Sequence, residues 1–132
     1  MSKLIMIDDD AMYHKIIQMM IKARYPNEET IFSYDGREII RFLNQNKTRN
    51  DVLPDHILVD LNMPDFDGWD FLNSFGKIYK SIKKKIGVYV VSSSIDPHEI
   101  ARTRTYPFVH SYIIKPMTMD LLDKIVHLKY TA

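Results

Sequence analysis

The chain has 132 residues, room for one domain with a substantial core and too few for that domain plus a separate DNA-binding or enzymatic module. Hydrophobic residues make up 45% and charged residues 27%, outside the disordered range, and a formal net charge of +1 gives no overall attraction to nucleic acid or membrane. There is no cysteine, which removes disulfides, thiolate metal sites and cysteine nucleophiles together.

Short apolar runs alternate along the chain with longer stretches of helical period. Residues 4–7 are a strand-like run with no signal-peptide pattern before them, and no apolar stretch reaches the length of a bilayer span, so the expected location is the cytoplasm. Over residues 12–25, Met12, Ile16, Met19, Met20 and Ala23 recur on one face of a helix. Residues 30–33 are a second strand, closed by Asp35-Gly36. Ile39, Ile40, Phe42 and Leu43 then form a helical stripe up to the polar stretch 44–51, of which 47–51 is the expected flexible point.

Ile57, Leu58 and Val59 are an unbroken apolar run, as in a strand covered on both faces, and place a third strand over 56–60. Pro64 cannot donate into a ladder and Asp67-Gly68 marks a turn, after which Phe71, Leu72, Phe75, Ile78 and Tyr79 carry a third helix. Residues 88–91 are the fourth strand. Asp96, Pro97 and Glu99 read as N-cap, first helical residue and capping-box acid of a short fourth helix. Residues 109–114 are the fifth strand, and beyond Pro116 the stripe Leu121, Leu122, Ile125 and Leu128 faces inward from a last helix. Five strand–helix units imply an α/β fold with right-handed crossovers, helices on both faces of a parallel sheet, and ligand sites at the carboxyl ends of strands.

That edge is where the chemistry-bearing residues fall. Asp8, Asp9 and Asp10 follow the first strand, Asp60 ends the third, Ser92 the fourth and Lys115 the fifth. Carboxylates converging from Asp8, Asp9 and Asp60 repel one another unless a cation lies between them, and all-oxygen ligation suits Mg²⁺. Lys115 then completes neutrality. A carboxylate oxygen of Asp60 can attack a phosphoryl group in such a site, with metal and ammonium stabilising the equatorial oxygens.

The sequence here resembles the response regulator receiver family of two-component systems, in its chemotaxis-type, single-domain form. The resemblance rests on the acid pair in Ile7-Asp8-Asp9, the segment from Val59 and Asp60 through Pro64 to Asp67-Gly68, the hydroxyl in Val90-Val91-Ser92-Ser93, and Lys115-Pro116, four pieces in order over nearly the whole chain. It implies a flavodoxin-like doubly wound (βα)₅ sheet of strand order 2-1-3-4-5, with residues 1–132 forming a receiver domain without an output domain. It implies that Asp60 is the phosphoacceptor and that Asp9, Asp60 and the main-chain carbonyl of Asn62 ligate Mg²⁺ directly, Asp8 acting through water. Lys115 would pair with the phosphoryl group, Ser92 would be the switch hydroxyl and Tyr112 the switch aromatic, and the Lys115–Pro116 bond is typically cis. Such a protein is not an enzyme: it accepts the group on its own aspartate and loses it by autodephosphorylation. The implied partners are a sensor histidine kinase or histidine phosphotransfer protein as donor, a downstream protein effector, and a second copy in a homodimer formed on phosphorylation. Neither nucleic acid nor membrane is expected.

Ser93 departs from the Ala or Gly usual there and crowds the phosphoryl entrance, while the short Asn62 and Ser94 predict little shielding of an acyl phosphate. Met12, Tyr13 and Ile16 read either as core or, with Pro116 and Met117, as a face that docks a kinase helix. Arg102, Tyr106, His110 and Tyr112 are candidates for the output face. Asp10 reads equally well as a helix cap, and Asp67-Gly68 as turn chemistry framing the site. Lys83-Lys84-Lys85 reads as solvated surface because no aromatic interleaves it, and the histidines at 14, 56, 98, 110 and 127, without metal spacing, as surface or strand-face residues. Three rivals remain. A haloacid-dehalogenase-type phosphatase needs an aspartate where Asn62 stands, and three aspartates after the first strand would repel the phosphate of an FMN carrier. A receiver-like scaffold that is never phosphorylated is the third.

Overall fold

The computed structural model describes residues 3–128. Five parallel strands, β1 (Lys3–Ile7), β2 (Glu29–Ser33), β3 (His56–Val59), β4 (Gly87–Ser92) and β5 (Val109–Ile114), lie in the order β2-β1-β3-β4-β5. They alternate with α1 (Ala11–Arg24), α2 (Gly36–Gln45), α3 (Gly68–Ile78), α4 (Pro97–Thr103) and α5 (Met119–His127), and a 3₁₀ turn, Tyr79–Ser81, extends α3. This is the expected flavodoxin-like arrangement and strand order.

Side chains of a strand alternate between faces, so the buried runs of β1, β3 and β4 feed two cores. Leu4, Met6, Leu58, Tyr89 and Val91 pack with Tyr13, Ile17 and Ile21 of α1 and with Leu122 and Ile125 of α5. Ile5, Ile7, Ile57, Val59, Val88 and Val90 pack on the other face with Ile39 and Leu43 of α2 and Phe71, Leu72 and Phe75 of α3. Asp10, Asp35, Asp67, Asp96 and Thr118 each accept a backbone N–H at the start of the helix that follows them, which fixes where every strand-to-helix loop ends.

One open reading is resolved and one expectation needs correction. The helical period over α1 is right, and of the two readings left open for its stripe the outward one fits Met12, Ile16, Met19 and Ala23: Met12 is 66%, Ile16 47% and Met19 64% exposed, and Ala23 is exposed. The buried line is one residue on, Tyr13, His14, Ile17 and Ile21, with Met20 between the two faces. Apolar residues cover so wide an arc of this helix that periodicity leaves its phase open. The correction concerns one histidine. His14, on a helix, is only 5% exposed, its ring between those of Phe32 and Tyr34 at centroid distances of 5.2 and 4.7 Å. His56, at the start of β3, is a strand-face residue as expected, and it is fully buried.

Smaller differences follow from local bonding. Glu99 does not close a capping box on Asp96, because its carboxylate takes the hydroxyl proton of Ser94 instead. The stretch 47–51 is stitched down: Lys83 N donates to the Lys47 carbonyl at 2.8 Å, and the Lys3 ammonium reaches the Asp51 carbonyl.

Candidate functional site

The sheet's own hydrogen bonding carries the acids to its carboxyl edge. Asp8 N donates to Ser33 O at 3.1 Å and Asp60 N to Ile7 O at 3.0 Å, so both residues continue the ladder one step past their strands. Asp10 turns away, its carboxylate accepting the N–H groups of Met12 and Tyr13 at 2.9 and 3.3 Å as the N-cap of α1. The capping reading therefore holds for Asp10 and leaves the other two acids free of that duty.

Asp8, Asp9 and Asp60 each place a carboxylate oxygen within 4.8 Å of the others. Asp8 and Asp60 are buried and Asp9 is exposed, so the cluster opens to solvent on one side. Lys115, at the end of β5, lies 2.9 Å from Asp8 Oδ2 and 3.5 Å from Asp60 Oδ2. Asp8 has both oxygens occupied, since Oδ1 accepts the Asp10 N–H at 2.9 Å. Asp60 Oδ1 has a long contact, 3.4 Å, from the Asn62 N–H. Burial, and then the negative charge of Asp8, push the Asp60 carboxyl above its ordinary pKa, with Lys115 opposing them. Burial alone would lower Lys115, but its hydrogen bond to Asp8 and the charge of Asp60 outweigh that and raise it.

Gly68 holds the Asp60 end of β3 in place. A Cβ there would lie 2.4 Å from the carbonyl oxygen of Asp60 and 2.6 Å from Leu61 Cα, and the Gly68 N–H donates to Leu61 O at 3.0 Å. The first turn of α3 thus presses backbone to backbone against the end of β3, which only a residue without a side chain permits. Between them Asp65 takes a left-handed conformation with φ of 62°.

Ser92 is buried, and its Oγ accepts the N–H of Ser94 at 3.2 Å. The Ser92 carbonyl accepts the Lys115 N–H at 2.9 Å, and the Lys115–Pro116 bond is cis. Tyr112, partly exposed, donates its hydroxyl proton to the Ser94 carbonyl at 2.7 Å. Ser92 and Tyr112 are thus joined through Ser94, which also binds Glu99 of α4. Sequence reading assigned Ser94 only to water access, and the geometry makes it the meeting point of β4, α4 and β5. Ser93 is exposed. Of the output-face candidates, Arg102 stacks on Trp69 of α3 at 4.0 Å and Tyr106 donates to Asn73 of α3 at 2.7 Å, so both brace α3.

Tyr13 was read as core or docking surface, and it is also part of this site. The Lys115 ammonium sits 4.5 Å from the centroid of the Tyr13 ring, and the Tyr13 oxygen accepts the Met117 N–H at 3.2 Å. One side chain from α1 thereby grips the lysine and the backbone two residues beyond it. Nothing in the sequence signals this contact, because the two residues lie far apart along the chain.

Sheet order, four crossovers and an acidic cluster at the carboxyl edge define a flavodoxin-like α/β protein with an anionic, lysine-closed cleft. Residues 4–127 match the response regulator receiver domain, and the chain belongs to that family, the receiver domains of two-component systems. It is 26% identical to the response regulator Rcp1 of Synechocystis over 93% of this chain and 82% of Rcp1. A crystal structure of a two-component response regulator from Cytophaga hutchinsonii superposes with a TM-score of 0.82 at 28% identity, covering 94% of this chain and 92% of that one. The phosphorylated cyanobacterial phytochrome response regulator RcpA superposes at 0.72 with 27% identity, covering 94% and 88%. Against the two-component response regulator ARR12 of Arabidopsis thaliana the identity is 23% over 93% of this chain, which spans only 19% of that protein's length.

Proposed function

We propose that Asp60 accepts a phosphoryl group from a phosphohistidine donor and that the resulting change is read by another protein at the α4–β5–α5 side. The observation that carries this reading is the convergence of Asp8, Asp9 and Asp60 within 4.8 Å beside the Lys115 ammonium. In the transfer a carboxylate oxygen of Asp60 forms a bond to phosphorus. The P–N bond breaks, and the imidazole nitrogen departs with its electron pair. Lys115 meets the phosphoryl oxygens and offsets the charge they bring.

Three carboxylates against one ammonium leave an excess that a single divalent cation neutralises, so the residues fit Mg²⁺. Asp9 and Asp60, with the Asn62 carbonyl, would hold it directly and Asp8 through water. When bound it supplies charge stabilisation to the phosphoryl oxygens. Asp9 is the exposed member through which an ion enters.

Ser92 and Tyr112 form the switch. In the unmodified protein the Ser92 hydroxyl serves Ser94. Drawing it toward a phosphoryl oxygen breaks that bond and loosens the Ser94 carbonyl that Tyr112 holds. The exposed stripe Met12, Ile16 and Met19 on α1, next to the acidic cluster, suits the docking of the donor's helix. RcpA, similar along nearly the whole chain, has been solved in a phosphorylated form, which supports the same chemistry here.

Incubation with acetyl phosphate and Mg²⁺ followed by intact-mass measurement tests the reading. One phosphoryl group should be gained, and the gain should vanish in Asp60→Asn or with a chelator. Modification that persists in Asp60→Asn sinks it, and the absence of any gain favours the scaffold reading.

A further inference from the structure

At the opposite edge of the sheet, the amino ends of β4 and β5 border a cleft of about 700 Å³, a volume within the range of small-molecule sites. One wall is aromatic. The rings of Tyr79 and Phe108 lie 4.9 Å apart, and Phe108 rests edge-on against Phe75 at 4.8 Å. Tyr79 and Phe108 are both partly exposed.

The rim is basic. Lys80, Lys83 and Lys85 are exposed around the mouth, while Lys84 is tied to Asp55 at 3.0 Å and to the Leu53 carbonyl. No aspartate or glutamate is among the residues lining the cleft, although acids and bases nearly balance over the whole chain. The lysine run lacks aromatic neighbours in sequence, but folding brings Tyr79 and Phe108 beside it from before the run and from beyond β4. A one-sign rim on an aromatic wall favours a ligand with a planar ring and several negative charges, because lysine binds phosphate as a mobile point charge and a flat ring stacks on aromatic faces.

We propose that this cleft binds a nucleotide, its base against Tyr79 and Phe108 and its phosphates among Lys80, Lys83 and Lys85. The site is remote from Asp60 and does not depend on phosphorylation.

The test is a fluorescence titration of the full chain with a methylanthraniloyl derivative of ADP in chelator-containing buffer, so that the acidic edge cannot recruit metal-bound phosphate. The expected result is saturable binding at one site per chain, displaced by ADP. Adenosine alone or pyrophosphate alone should compete about tenfold less well, and Phe108→Leu and Lys83→Gln/Lys85→Gln should each weaken binding by about tenfold. Asp60→Asn should bind as the unaltered protein does. Circular dichroism of the variants confirms that they fold, and Tyr79→Leu replaces Phe108→Leu if the latter does not. The proposal is overturned by the absence of saturable binding, or by pyrophosphate competing as well as ADP with no effect of the aromatic variants. It is equally overturned if an acidic peptide or an oligonucleotide occupies the lysines without being displaced by ADP.

Discussion

At the scale of single residues, the Tyr13 ring packs against the Lys115 ammonium beside Asp60, so on the proposed function Tyr13 helps set where that ammonium points. A half-buried cation over an aromatic face gains about 1–2 kcal/mol. Tyr13→Leu removes both the ring and the oxygen that holds Met117 N, whereas Tyr13→Phe removes only the latter. Acetyl phosphate should therefore modify the Leu variant about tenfold more slowly and the Phe variant within about twofold of the parent. A Leu variant as fast as the parent, with its melting temperature preserved, would dismiss Tyr13 as a positioning residue.

At the scale of elements, α1 and α3 play different parts. The outward stripe of α1 has no partner among the described residues, and Ile16→Glu/Met19→Glu changes only that surface. The variant should lose about tenfold or more in phosphoryl transfer from a histidine phosphotransfer protein, since charge replaces apolar contact there, and should react normally with acetyl phosphate, which needs no docking. Equal transfer from the protein donor would remove α1 from the docking surface. In α3, Gly68→Ala forces a methyl group onto the backbone of Asp60 and Leu61. Urea unfolding should report a loss of about 1–3 kcal/mol, accompanied by slower phosphorylation because the acceptor is displaced. An alanine variant as stable as the parent would mean the contact relaxes freely.

For the molecule as a whole, two histidines inside the domain couple stability to pH. Burial lowers His56 to about 4, and burial likewise lowers His14. The unfolded chain binds protons at these histidines near pH 6.5 while folded His56 does not until about pH 4, so stability is full above about 6.5 and declines as pH falls through that window. For His56 the loss approaches about 3 kcal/mol at the bottom of the window. Urea midpoints at pH 7 and pH 4.5 should differ less in His56→Leu than in the parent, and an unchanged difference would show that His56 titrates normally. Most of the fold was legible in the sequence, because continuous apolar runs such as Ile57 to Val59 suit strands that helices cover on both sheet faces, and an aspartate caps each of the first four helices. The convergence of Asp8, Asp9, Asp60 and Lys115 was legible for the same reason: each stands where a strand stops. What stayed hidden depended on phase or on distance. Met12, Tyr13, Ile16 and Ile17 are all apolar, so the inward side of α1 had no sequence marker. The partnership of Lys83 and Lys85 with Phe108, and that of Lys115 with Tyr13, join segments far apart along the chain.

The tight seat of Gly68 also decides which half of the protein is free to answer a signal. On the proposed function, charge added at Asp60 over a floor clamped by main chain cannot be relieved by retreat of β3, and the give would come from the span between Ser92 and Glu99, where single hydrogen bonds rather than interlocked backbone hold the parts. Because energetic linkage runs both ways, a protein that grasps Tyr112 or α4 in the rearranged form would also slow the return of the modified aspartate to its resting state.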